Sequence, residues 1–326
     1  MIRTTLPVQS QTITWLHEGV VDWASAGRYY TPDGADRELG FGHFNGMDFD
    51  AAVSSVDGRY TLIYTRLGTK GLLLKQGELL REVNRSYYQA QVYEYPAGFF
   101  EFEGRTYLAH CPQEYNRLDF EDVETGEIPT DVSGRQPADV FHSRFAVSPE
   151  GTYLLSTGWL WHPWDIAQAF DIRACFQNPL LLDEGAYDNE LRPAVSSEIS
   201  SGSFLNDYTV LLSSSNEPPF DDDEVNLPPS HVVFWNLRTG ELTQPVKMQG
   251  KFGNVVAIDE DRAWDLHQHP KLIDLRTGVV VEQWPDIDLG RQNSSIHPNT
   301  EVQIVVSPDR RTVVIRLDNQ LEFIGL

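Results

Sequence analysis

One hairpin returns along the whole chain, and it constrains the fold more than any other feature. An apolar strand, a tight acidic or glycine-bearing turn and a second apolar strand occur at 52–63, 99–108, 145–155, 202–212, 255–264 and 304–315. The turns read Asp57-Gly58, Glu103-Gly104, Glu150-Gly151, Asn206-Asp207, Asp259-Glu260-Asp261 and Asp309-Arg310. Asp-Gly and Glu-Gly supply the positive φ that a tight hairpin requires. Pro149 and Pro308 stand beside a turn, where a missing N–H does no harm. From turn to turn the spacing is about 46 to 56 residues.

A second hairpin follows in several repeats, built as strand, Thr-Gly, strand. It reads 120–128, 233–242 and 272–281, and the first repeat has Leu72–Leu74, a Gly77 turn and Leu79-Leu80. Two hairpins per repeat give four strands, and self-similarity at this period marks a ring of sheets. The fold expected is therefore all-β: one closed β-propeller over residues 1–326, six blades of four antiparallel strands. Residues 20–44 fall outside the six repeats and leave room for a seventh. The last repeat stops one strand short at 321–326, so an N-terminal strand at about 11–16 is expected to complete it. Closing the ring removes an exposed edge that would otherwise invite aggregation.

At these hairpins the chain resembles the WD40-like propellers, from about Phe49 to the end. Ser148-Pro149-Glu150-Gly151, Ser307-Pro308-Asp309 and the turns Asn236-Leu237-Arg238-Thr239-Gly240 and Asp274-Leu275-Arg276-Thr277-Gly278 are typical of that superfamily. Gly-His and Trp-Asp dipeptides do not recur in register; Trp164-Asp165 and Trp264-Asp265 are isolated. The resemblance implies the fold and leaves the function open.

Composition narrows the function. Forty-eight acidic residues face 25 basic ones, a formal net charge of −23. Such a chain repels nucleic acid and anionic membranes, both polyanions, and attracts basic partners. The start, 1–7, carries no apolar run of signal-peptide length, and no stretch of 18 apolar residues occurs. A cytoplasmic location is expected. Cys111 and Cys175 are expected to be small buried side chains in a reducing compartment.

Two repeats outgrow the others, at about 158–182 and 216–230, and insertions in repeat arrays gather on one face that often binds. The first opens Trp159-Leu160-Trp161-His162-Pro163-Trp164-Asp165 and is expected to hold a short helix near 172–176. Aromatics with a polar handle are frequent interface anchors. Trp159 and Trp161 also have the spacing to pack between blades, while His162 and Trp164 flank Pro163 and are expected at the surface. The second insertion carries Phe220-Asp221-Asp222-Asp223-Glu224 between proline pairs. Four adjacent acids repel one another and stay solvated; they fit a basic partner, and their spacing lacks the alternation of an EF-hand calcium loop. His267 and His269 with Asp265 have a spacing that tempts a zinc reading, but no further spaced ligands complete a set.

No Gly-x-Ser-x-Gly elbow, dinucleotide fingerprint or phosphate loop appears, so neither a cofactor nor a catalytic residue is assigned. The leading expectation is a non-catalytic protein-binding propeller that meets a basic partner through Trp161, His162, Trp164, Asp165, Phe220, Asp221, Asp222, Asp223 and Glu224. A neutralising inhibitor or immunity-type protein is one form of it. The alternative is a hydrolase or lyase with carboxylates gathered at the channel mouth to act on a small or saccharide substrate.

Overall fold

The computed structural model describes residues 1–326 except 41, 43, 45, 162–163, 186–188, 219–224, 292 and 297–301. The described residues form seven antiparallel sheets, six of them meanders whose strands follow one another from the ring's centre outward, the seventh closed on its outside by the N-terminal strand. The innermost strands are Thr14–Leu16, Ala51–Ser54, Ala97–Phe102, Ala146–Val147, Ile199–Asn206, Val255–Ala257 and Gln303–Val306. We number the blades I to VII in that order and letter their strands A to D outward.

The core is shared out among the seams between blades. Leu62 and Leu73 of blade II pack with Phe99 and Leu108 of blade III. The next residue, Ile63, turns the other way and packs with Val21 and Tyr29 of blade I. Leu154 and Leu155 divide in the same manner between blades III and V, as do Val313 and Val314 between blades VI and I. Successive side chains of a strand point to opposite faces, and here both faces are buried. This is why the B strands read as continuous apolar runs.

The recurring turns close on their own side chains. Ser55, Ser148 and Ser307 accept through Oγ from the backbone N–H of Tyr60, Tyr153 and Thr312 at 3.0, 3.0 and 2.9 Å. Asp57 and Asp309 accept in turn from the Ser55 and Ser307 hydroxyls at 2.6 and 2.5 Å. In the turns after the third strands Asp122, Asn236 and Asp274 each accept through Oδ1 from the N–H groups two and three residues further on, at 2.9 to 3.2 Å. These bonds close each of these turns within its own few residues.

Three expectations change. The ring has seven blades, and the added one is blade I, Thr14–Leu16 through Asp36–Glu38. Its strands are only three or four residues long, and its first turn uses His17 at φ 52 without an Asp-Gly signature. The ring does close with an N-terminal strand, but that strand is Ile2–Leu6, paired to Gln320–Gly325 from Ile2↔Gly325 to Leu6↔Leu321. Residues 11–16 instead lead into the inner strand of blade I, where Ile13 is fully buried. An outermost strand wants the alternating exposure of Ile2–Leu6. Finally, blades III and IV have three strands. In blade IV the segment after the third strand lies beside it, the Ala169 N–H donating to the Leu191 carbonyl, while the helix Ile172–Gln177 packs on blade III, its Phe176 stacked on Phe102 of the inner strand at 4.3 Å. Much of 158–182 is thus strand, Tyr153–Leu160 and Trp164–Asp171, with the helix where it was expected.

Candidate functional site: an aromatic corner and a strap over the channel

In a ring of meanders the A–B and C–D turns lie on one rim, and the B–C and D–A connections lie on the other. The second rim carries the long segments. On it, the connection from blade III to blade IV runs beside the blade IV hairpin. The Phe141 N–H donates to the Trp159 carbonyl at 2.9 Å, and the Trp159 N–H returns a bond to Phe141 at 3.0 Å. A Cβ on Gly158 would lie 2.1 Å from the Phe141 carbonyl oxygen, so only glycine permits this approach. The rings of Phe141 and Trp159 then stack at 4.1 Å and 8°.

Trp161 stands edge-on to both rings, at 5.1 and 5.4 Å. Tyr88 lies 4.7 Å from Tyr115, which itself packs on Phe141. Trp159 is 3 % exposed, whereas Trp161 is 41 % and Tyr88 46 % exposed. A rigid buried stack therefore presents two solvent-facing aromatics. The Tyr115 hydroxyl donates to Asp139 at 2.6 Å, and burial together with that bond holds its proton on.

The loop that carries Tyr88 is shaped by Arg85, a buried cation with no carboxylate partner among the described residues. Its guanidinium donates to the carbonyls of Gly68, Ala90 and Tyr93 at 2.8, 2.6 and 2.9 Å. It lies over the rings of Tyr93 and Tyr95 at 4.5 and 5.0 Å. Carbonyl dipoles and ring faces replace the water this charge gave up.

Of the residues expected to meet a partner, Trp161 lies at this corner. Trp164 is half-buried across the turn, in a small recess with Arg192, Pro193 and Val195. Asp165 is only 7 % exposed and cannot offer its carboxylate to a docked protein. It accepts from Ser294 Oγ at 2.7 Å, and its own N–H donates to Glu198 at 3.1 Å. Burial first, and Glu198 after it, push its carboxyl up to about 7. His162 and Phe220 to Glu224 lie outside the described residues. Tyr88, Tyr115, Phe141 and Arg85 were not singled out in the sequence; only the Tyr87-Tyr88 pair inside a polar loop hinted at them.

Ser294 belongs to the connection between blades VI and VII, yet Asp165 is in blade IV. The segment 293–296 therefore crosses the ring as a strap. Its Asn293 and Ser294 carbonyls accept from Arg144 at 2.8 and 2.7 Å, and its Ser295 carbonyl accepts from the Glu94 N–H at 3.0 Å. Arg144 also donates to Glu94 at 2.8 and 3.1 Å and to Asn254 at 2.8 Å. Beneath lies a channel chamber of about 350 Å³ lined from blades II to VII. Among the described residues the one carboxylate in its lining is Glu94, tied to Arg144. A carboxylate pair for sugar or ester chemistry is thus absent from that lining. Asp265 is taken by Lys271 at 2.7 Å and His269 by Gln283 at 3.0 Å, so the His-x-His stretch serves the blade VI loop.

With this geometry the chain has a seven-bladed β-propeller fold, a fold it shares with solved propeller structures. Its structure is similar to the WD40 domain of Neurospora crassa Pan2, with TM-score 0.56 at 9 % identity over 98 % of this chain and 89 % of that one. A chain of a mitotic checkpoint complex gives 0.58 at 12 % over 98 % and 87 %. The computationally designed Ika8 protein gives 0.50 at 13 % over 99 % of both. No protein-family model and no curated protein matches the sequence.

Proposed function

We propose that this ring is a protein-binding propeller whose partner docks on the rim of B–C and D–A connections, with Trp161 and Tyr88 as anchors. The observation that carries this reading is the aromatic corner: two large side chains held in the open by a buried stack, at no further cost in side-chain ordering. A net charge of −23 supports a basic partner, steered on approach and held by the aromatics. A chain of similar fold occurs in a mitotic checkpoint complex. A neutralising, immunity-type inhibitor of a basic enzyme is one form of this reading, supported by the acidic excess.

The test is a photo-crosslinker at position 88, followed by affinity measurement with the captured protein. Trp161→Ala is expected to weaken binding about thirtyfold, the size of an interface hot spot. Neutralising residues 221–224 to their amides is expected to slow association and flatten its salt dependence. Whole-loop deletion is a poor substitute, because Leu227 in that loop is buried in the seam of blades IV and V. An affinity unmoved by both Trp161→Ala and Tyr88→Ala overturns the reading.

A further inference from the structure

The channel chamber holds two polar groups that the fold does not use. Thr157, Ser201 and Gln303 in its lining are spent on the Arg144 carbonyl, on Ser213 with the Val255 N–H, and on both backbone groups of Ile13. Arg144 is saturated by the strap and Glu94. Arg66, by contrast, gives a single guanidinium bond, to the Val302 carbonyl at 3.4 Å, and forms no ion pair among the described residues. Tyr64 stands two residues earlier on the same hairpin and lines the same chamber, packed on Tyr95 at 5.0 Å. No hydrogen bond engages its hydroxyl among the described residues. Burial pushes that phenol up to about 12, so it is a donor at neutral pH.

Arg66 offers the cation for a ligand. In the chamber's lining Arg66 and Arg144 stand against Glu94, and the Asp50 carboxylate just outside it accepts from the Arg66 backbone N–H at 2.6 Å, leaving the guanidinium end of Arg66 open. The remaining wall is apolar: Val255, Val256, Leu289 and Ile304. A half-buried guanidinium with spare donors beside an apolar wall is placed to take the oxygen acceptors of a ligand. About 350 Å³ is the low end of small-molecule pockets. We propose that this chamber binds a small oxyanion-bearing molecule, its carboxylate or phosphate held by the Arg66 guanidinium and the Tyr64 hydroxyl, its carbon skeleton against the valines. This site is separate from the aromatic corner and does not depend on the partner proposed there.

The experiment is thermal unfolding and calorimetric titration of the full chain with inorganic phosphate and with succinate, against chloride at equal ionic strength. At least one of the two is expected to raise the melting temperature saturably, since a ligand bound only by the folded state stabilises it. Phosphate alone points to a phosphate ester, and succinate alone to a carboxylic acid. Arg66→Gln is expected to weaken that binding tenfold or more, and Tyr64→Phe severalfold. Arg311→Gln, exposed on the opposite rim, is expected to leave it unchanged. If Arg66→Gln does not fold, Arg66→Lys and Tyr64→Phe carry the test. The proposal is overturned if neither anion acts beyond chloride, or if the foldable variants respond as the native chain does.

Discussion

On the rim of A–B and C–D turns, each hairpin is closed by residues a few positions away: Ser307 with Asp309 and Thr312, Asn236 with Arg238 and Thr239. On the opposite rim the partners are distant. Arg144 reaches Glu94, Asn254 and the strap at 293–294, and Asp165 reaches Ser294. Local closure holds these turns mainly within their own residues, with few bonds between blades, such as the Glu150 N–H to Asp207 at 3.2 Å and Arg310 to the Leu205 carbonyl at 3.0 Å. Distant closure makes one cooperative lid whose members stand or fall together. A ring can therefore keep its architecture on one rim and vary its binding surface on the other.

The hardest blow to this contrast falls on Arg144. Arg144→Met leaves Glu94 without its counter-charge and frees the strap carbonyls, so a loss of about 3–5 kcal/mol is expected. Urea unfolding measures it, and amide exchange at 293–296 shows whether the strap lifts. A loss no larger than that of a single turn residue would erase the distinction between the rims.

Asp165 tests the same rim through pH. Its carboxyl titrates at about 7 in the folded chain, against the ordinary 3.8 when unfolded. The folded state keeps the proton over that window, so this group's contribution is complete below pH 3.8 and is lost as pH rises through about 7. Asp165→Asn retains an acceptor for Ser294 Oγ and removes the titration. It is expected to stabilise the protein by about 2 kcal/mol near pH 8, with the gain vanishing toward pH 4. An equal gain at both pH values would mean that the carboxyl does not titrate as its burial requires.

On the local rim the expected effects are smaller. Ser307→Ala or Asn236→Ala removes turn bonds without touching a seam, at about 1 kcal/mol each. The two sites are in different blades, and their losses are expected to add within about 0.5 kcal/mol. Marked non-additivity in denaturant unfolding would show that these turns are coupled after all.

The same division explains what could be read in the sequence. Six of the A–B hairpins were legible because their turn chemistry is written in adjacent residues. Blade I was not, because its three-residue strands and the turn at His17 carry no such signature. The closing strand was placed too late because Ile13 and Trp15 look more strand-like than the exposed Ile2–Leu6. Trp161 was legible as a candidate from its local cluster of tryptophans. Its supports were not: Phe141, Tyr88 and Arg85 come from other connections, and nothing in their neighbourhood announces a shared corner. Asp165 looked like a surface acid because sequence shows its neighbours and not the strap that buries it.

The smallest stability effect belongs to the residue with the largest expected role in binding. Trp161 meets Phe141 and Trp159 only by its edge, and 41 % of it is already in water. Trp161→Ala is expected to change unfolding free energy by about 0.5 kcal/mol, the range of an exposed site. Trp159→Ala, two residues earlier, empties a buried stack and is expected to cost about 3–5 kcal/mol. The pair separates structure from surface within one hairpin. If Trp161→Ala proves as destabilising as Trp159→Ala, the exposed ring is part of the fold, and the corner has no side chain kept free for a partner.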